Sequence, residues 1–336
     1  MDLEGQLRTF SNVSTQRSEN FEVSEVAPYV LKFTNKTSAN SKKQPTLGFT
    51  ALVHGNEYLG LPILNSIMES LLSGKTKVDY DVYFGLGNIP AAFAQKRFME
   101  EDLIRCFGKQ GFASQEATRA RQLESAMLNH CDLLLDIHQT VFTSEKPFFI
   151  FQYTSQRCLS IMEKWNTDVP VIIQEAQLGE NTGLCADEYV RSRGGFGAAL
   201  ELGQLGTFNH FELGCEIGSR VLRNSNLEIL GSNRALEPLK FELLKLSPST
   251  FKVEDSSFKL DDGWRNLSYF EKGQRLGTYQ HGDILAPVSG YMLFPRYRPL
   301  KAGEDLFYYC TDILDKSSSL TRSHISPSTI KPTLSI

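Results

Sequence analysis

A histidine and a glutamate three positions apart, His54 and Glu57, stand in the stretch LGFTALVHGNEYLG that runs from Leu47 to Gly60. Imidazole nitrogen and carboxylate oxygen are both zinc ligands, and a catalytic zinc keeps three protein ligands, two His and one Glu among the known sets, with one position open to water or substrate. A third ligand is then required. His138, in LLLDIHQT, fits best because it ends a strongly apolar segment as His54 does. His130 ends a helical pattern, His210 lies in TFNHFE, His281 in the turn-like QHGD, and His324 in a tail rich in Ser, Thr and Pro. The His54/Glu57 pair alone is a weak signal, since a His at a strand end is more often simply hydrogen-bonded. The elements that would bring these groups together therefore carry the argument.

Apolar runs of strand length, GFTALVH, DVYFGLGN, DLLLDIH, PFFIFQY and FGAALELG, alternate with longer helical patterns such as GLPILNSIMESLLSG and ATRARQLESAMLNH. That alternation predicts an α/β domain over residues 25–247 whose strands are apolar on both faces because helices cover the sheet from both sides. In such sheets functional groups gather beyond the carboxyl ends of the strands. Gly55 and Asn56 allow a tight turn after His54, while Leu59, Ile63, Leu64, Ile67, Met68, Leu71 and Leu72 recur at helical spacing. Pro62 is tolerated only in a first helical turn, so the helix is expected to begin close to Gly60. From Pro248 the pattern changes to short strands broken by Gly and Pro, a small β domain over 248–315. Residues 1–24 read as an N-terminal extension and 316–336 as a flexible tail.

Composition excludes several classes. The chain has 336 residues, 41% hydrophobic and 22% charged, with a formal charge of −4 and both signs spread throughout, so neither nucleic acid nor an anionic membrane is an expected partner. No apolar run reaches the roughly 20 residues of a membrane helix, and the polar start MDLEGQLRTFSNVSTQRSEN lacks the apolar centre of a secretory signal, which predicts a cytoplasmic protein. Six cysteines, Cys106, Cys131, Cys158, Cys185, Cys215 and Cys310, form no C-x-x-C pair. GLGNIP, starting at Gly85, puts Pro where a dinucleotide fingerprint needs its third Gly, and nothing matches a P-loop.

HGNE, NIPAAFAQKRFMEEDLIRCFG, DIHQT and LELG occur in an order and at a spacing that resemble the succinylglutamate desuccinylase and aspartoacylase family, a branch of the zinc carboxypeptidase superfamily. The resemblance covers residues 45 to 235. It implies a zinc-carboxypeptidase-like mixed sheet flanked by helices, followed by a small all-β barrel-sandwich-like domain, with one Zn2+ per chain held by His54, Glu57 and His138. It further implies that Glu201 is the general base, Arg97 polarises the scissile carbonyl, Asp102 holds His54 from behind, and Arg105 grips a substrate carboxylate. Ile104 departs from the family pattern, which has Asn there, and puts an aspartate or glutamate substrate in question. The residues by themselves leave other roles open. Arg97 and Arg105 could be solvated bases, Asp102 a local helix cap, and Glu201 an ordinary strand-end acid. Asp136, two residues before His138, could orient another group or be a structural carboxylate.

GDILAPVSGYMLFPRYRPLKAGEDLFYY is similar to the hairpins of biotinyl and lipoyl carriers, but no Lys occupies a carrier-like tip, which argues against covalent cofactor attachment. Tyr291, Arg296 and Arg298 could wall the entrance to the site; a docking surface for a homo-oligomer is the alternative. The function expected from the resemblance is a zinc-dependent amidohydrolase that deacylates an N-acyl amino acid or related small amide. The alternatives are a metallocarboxypeptidase on short peptides and a noncatalytic binder that keeps the fold. A Ser or Cys nucleophile is disfavoured, because no G-x-S-x-G elbow is present.

Overall fold

In the computed structural model, the apolar segment that carries His138 is a strand, β5 (Leu133–Thr140), buried along its whole length. Leu133, Leu135 and Ile137 enter the core on one side of the sheet and Leu134 enters a second core on the other. Strand periodicity therefore puts Asp136 and His138 on the face of Leu134. The structure describes residues 2–36, 44–109, 111, 113–144, 146–152, 155–166, 168–174, 183–226, 239 and 241–313; the expected tail and His324 lie outside them.

Around β5 the chain forms a mixed sheet. Its other strands up to residue 246 are β1 (Phe21–Ala27), β2 (Val30–Asn35), β3 (Leu47–Ala51), β4 (Val82–Leu86), β6 (Phe148–Gln152), β7 (Val171–Gln174), β8 (Phe196–Gln204) and β9 (Leu243–Leu246). The spatial order is β1-β2-β4-β3-β5-β8-β6-β7-β9. β4, β3, β5 and β8 run parallel, β2 and β6 antiparallel to their neighbours β4 and β8. Helices α1 (Leu3–Asn12), α2 (Gly60–Leu72), α5 (Gln156–Trp165) and α7 (Phe211–Asn224) bury their apolar faces on one side. On the other side α4 (Gln115–Ala126) and α6 (Ala186–Ser192) pack on a second core that takes Val30 from β2, Tyr83 from β4 and Leu134 from β5. The remaining helix is the single turn and a half of α3 (Ile89–Phe93), capped by the Asn88 side chain. As the sequence predicts, α2 starts at Gly60 with Pro62 in its first turn. The first 24 residues carry α1 and the start of β1, and place Leu7, Phe10, Val13 and Phe21 in the main core.

The C-terminal part has short strands β10 (Phe251–Lys252), β11 (Lys259–Leu260), β12 (Tyr269–Phe270), β13 (Arg275–Tyr279), β14 (Gly282–Leu285), β15 (Gly290–Leu293) and β16 (Asp305–Asp312). β11, β13 and β14 form a separate antiparallel sheet. Leu276, Ile284, Met292 and Phe307 belong to a core of this part's own. β16, however, pairs with β9, Cys310 opposite Leu246, so the large sheet continues through β9-β16-β15-β12. Among the described residues no helix is long and apolar enough to cross a membrane.

Candidate active site

The turn after β3 is built for close approach. β3 ends at Ala51, and Leu52 adopts a left-handed φ of 54°, a conformation costly for a branched side chain and held here by buried surroundings. It redirects the chain so that His54 lies beyond the strand rather than on it. Gly55 packs against the backbone of α3, where an added Cβ would lie 2.4 Å from the Ala91 carbonyl carbon and the Ala92 nitrogen. The Gly55 N–H donates to the Arg97 carbonyl at 3.0 Å, and the Glu57 N–H to the His54 carbonyl at 3.1 Å. This ties the His54–Glu57 turn to the loop that carries Arg97.

His54, Glu57 and His138 meet in the interior, and one ligand atom from each lies within 4.8 Å of the others. His54 Nδ1 is 2.6 Å from Glu57 Oε1, and His138 Nδ1 is 2.9 Å from Glu57 Oε2. Both imidazoles thus turn the same nitrogen to one carboxylate. Their other nitrogens face two further carboxylates, His54 Nε2 at 3.1 Å from Asp102 Oδ1 and His138 Nε2 at 2.9 Å from Asp136 Oδ2. Asp136 is held in turn by Thr50, its neighbour in register on β3, whose Oγ1 donates to Oδ1 at 2.7 Å. Asp102 accepts from Arg97 Nε at 3.0 Å and, as cap of the 3-10 turn Leu103–Arg105, from the Ile104 N–H at 3.4 Å. It is both the local cap and the partner of His54.

The charges of this cluster do not balance internally. Three carboxyl groups, on Glu57, Asp102 and Asp136, crowd two imidazoles and the Arg97 guanidinium, and a divalent cation held by His54, Glu57 and His138 would offset that acidic excess. Burial alone would raise the Glu57 carboxyl, but His54 and His138 outweigh it and hold the group well below the carboxylate range. Asp102 is held down in the same way, against burial, by His54 and Arg97. Burial works to lower both imidazoles, and the carboxylates prevail and raise them. Two imidazole donors and a carboxylate, each imidazole backed by a second carboxylate, form a donor set that suits zinc.

Glu201 lies directly opposite His138 in the β5/β8 register, on the same face. Its Oε2 is buried without a hydrogen-bond partner. Burial pushes this carboxyl up to about 7, Glu57 adds to that, and His138, His54 and Arg97 reduce it. A carboxyl poised near neutrality beside the imidazoles is able to take and give a proton at physiological pH.

The site opens into a cavity of about 810 Å3 lined by His54, Glu57, Arg97, His138 and Glu201. Arg105 and Ile104 form part of its wall, and the C-terminal part contributes Arg296 and Arg298. Tyr291 is not among the lining residues; its ring packs edge-on against Tyr269, centroids 5.2 Å apart. His130, His210 and His281 lie outside the cavity wall.

Several residues of the site carry no advance signal. Thr50 is recognisable only once β3 and β5 are neighbours, whereas the D-x-H spacing already singles out Asp136, with its role left open. Gln139 accepts from the Leu59 N–H at 3.0 Å and donates to the carbonyls of Gln204 and Thr207, both at 3.0 Å, while its own N–H donates to Glu57 Oε2 at 3.1 Å. It locks the start of α2 and the end of β8 to the site. Glu116 of α4 is buried and accepts from the Met99 N–H at 2.7 Å, Asn88 Nδ2 at 2.9 Å and the Glu100 N–H at 3.3 Å, which organises the loop between Arg97 and Asp102.

Residues 43–213 match the model of the succinylglutamate desuccinylase/aspartoacylase catalytic domain. The succinylglutamate desuccinylase of Shewanella denitrificans is 27% identical over 270 residues, which are 74% of this chain and 76% of that protein. A crystal structure of the Vibrio parahaemolyticus succinylglutamate desuccinylase superimposes with a TM-score of 0.67 at 18% identity, covering 88% of this chain and 90% of the other. Murine aminoacylase 3 does so with a TM-score of 0.59 at 15% identity, over 82% and 97%. Fold and motif order agree, and the chain belongs to the succinylglutamate desuccinylase/aspartoacylase family of amide hydrolases.

Proposed function

We propose that the protein is a zinc-dependent deacylase that hydrolyses the amide bond of an N-acyl amino acid or a closely related small amide. The observation that carries this reading is the convergence of His54, Glu57 and His138 within 4.8 Å, facing a buried, unpartnered Glu201 carboxyl. His54, Glu57 and His138 would hold one Zn2+, which when bound lowers the pKa of water and polarises a carbonyl. Asp102 and Asp136 fix the orientation of the two imidazoles. Glu201 takes the proton of the attacking water and delivers it to the leaving nitrogen. Arg97, fixed by Asp102, places its positive charge where the carbonyl oxygen becomes negative. Arg105 grips the carboxylate of the amino acid.

Two of the relatives named above are succinylglutamate desuccinylases, and this chain's own cavity wall bears on which amino acid it accepts. Ile104 presents hydrocarbon to the cavity beside Arg105, which favours a substrate more apolar than N-acetylaspartate or N-succinylglutamate. The test joins metal analysis to a substrate panel. Purified protein is expected to contain about one zinc per chain, His138→Ala to contain none, and only the former to release amine from N-acyl amino acids. Activity restricted to peptides with a free C-terminus would move the reading to a carboxypeptidase. Failure to take up zinc at all would refute it.

A further inference from the structure

Among the described residues four arginines line the cavity, and two of them make no side-chain hydrogen bond or ion pair. Arg97 is engaged with Asp102 and Glu57, and Arg298 with Glu304 and the Pro299 carbonyl. Among the described residues, Arg105 and Arg296 make no side-chain hydrogen bond and no ion pair, yet both border the same space. They come from distant parts of the chain. Arg105 ends the 3-10 turn that Asp102 caps, and Arg296 lies in the segment between β15 and β16.

Arg105, Arg296 and Tyr308 of β16 all line this one cavity. Burial pushes this phenol up and Asp305 adds to the shift, while Arg296 and Arg105 both oppose it. The Arg296 backbone is held in place. Its N–H donates to the Leu306 carbonyl at 3.0 Å, and two residues earlier Phe294 adopts a φ of 51° with its N–H donating to Asn266 Oδ1 at 2.6 Å. Asn266 is fully buried, and its backbone N–H donates to the Thr143 carbonyl at 3.1 Å, so the segment is anchored to the loop after β5. An arginine on a held backbone that lines a cavity and, among the described residues, makes no ion pair is suited to a ligand that brings an anion.

We infer that Arg296 is a substrate-anchoring residue, which with Arg105 clamps the carboxylate of an N-acyl amino acid between the catalytic wall and the C-terminal wall of the cavity. This rests on the deacylase reading and adds to it the residue that selects a free carboxylate. An ionised carboxylate accepts at about four sites, and one planar guanidinium fills two of them side by side. Ile104, next to Arg105, has only a hydrocarbon side chain and adds no donor of its own. Arg296 supplies the other pair. The C-terminal part is thereby assigned a share in substrate selection, with the free acid bound more tightly than ester and carboxamide forms of the same substrate.

The test uses the full-length, zinc-loaded protein in the Glu201→Gln background, so that ligands are bound without being turned over. Calorimetric titration with N-acetylleucine and N-acetylglutamate, each as free acid and as α-carboxamide, is run with and without Arg296→Ala and Arg296→Lys. Loss of a charged bidentate contact is expected to weaken free-acid binding about tenfold or more in Arg296→Ala. Carboxamide binding is expected to be unchanged, with partial recovery in Arg296→Lys. An unaltered melting temperature and zinc content separate this from misfolding. Equal loss for acid and carboxamide, equal affinity with and without Arg296, or no free-acid binding in the parent would each overturn the clamp. Turnover of the same acids and carboxamides by the protein with Glu201 intact decides the deacylase reading separately, since hydrolysis that is insensitive to Arg296 leaves that reading standing.

Discussion

Glu201 has been given a place in the site but no partner for its charge. Its folded pKa of about 7 lies above the ordinary value of 4.5, because burial penalises the ionised form. The native state then binds more protons than the unfolded chain between those values, so this group's contribution to stability is fully present at low pH and is lost as pH rises through about 7. In zinc-stripped protein, Glu201→Gln is therefore expected to melt above the parent at pH 8, with the gap closing toward pH 5. A gap of constant size would mean that Glu201 is not buried as an acid. In the zinc-loaded protein the same variant should retain its metal and lose roughly 100- to 10,000-fold in turnover, the usual worth of a general base. Asp136 offers a separable test at this scale. Asp136→Asn leaves all three donor residues in place but removes the charge behind His138, and zinc affinity is expected to fall about 10- to 100-fold in competition with a chelator. The meeting of His54, Glu57 and His138 was legible because His54 and His138 stand at or near the ends of apolar strands, whereas Glu201 lies within β8 and was singled out only by the family resemblance. Asp136 stands out beside His138 in the sequence with its role open, and its partner Thr50 was not legible, since their contact depends on a register between strands 86 positions apart in sequence.

At the scale of elements, the loop between Arg97 and Asp102 illustrates how little local sequence says about irregular backbone. KRFMEED reads as a charged loop, and what shapes it is a carboxylate from another element. Glu116, on the first turn of α4, collects the N–H groups of Met99 and Glu100. Glu116→Gln replaces one of those acceptor oxygens by an amide donor that faces N–H groups. The variant is expected to lose about 1–3 kcal/mol in denaturant titration, the cost of unsatisfied buried polar groups. Turnover should fall as well, because Arg97 and Asp102 lose their support, while zinc content is expected to stay near one per chain. Normal turnover in a destabilised variant would show that the loop is held by other contacts. Helix α2, by contrast, was legible in full, since its apolar stripe and the position of Pro62 are local properties. The left-handed turn at Leu52 was not, because nothing in a leucine announces a positive φ.

For the whole molecule, the mixed sheet and its two helical layers followed from the alternation of patterns, and the change of character after residue 247 is visible in composition. Composition could not show that β16 returns to pair with β9 and that Phe148, Ile172 and Leu244 share a core with Leu293 and Cys310. A contact of such long sequence separation leaves no local trace. Its thermodynamic effect is to couple the two parts of the chain, because separating them exposes both an unpaired strand edge and that shared core. Calorimetry is expected to show one unfolding transition with equal calorimetric and van't Hoff enthalpies; two resolved transitions would mean that the parts unfold independently. The same pairing has a consequence for synthesis. β16 is made after β9, β10 and β15, all of which it joins, so while the nascent chain stops short of Asp305 the ribosome holds a protein with an open β9 edge and Arg296 on a wall without its last strand. The three residues proposed to hold zinc are all in place by residue 138, and the surface that would choose the substrate is completed more than 150 residues later.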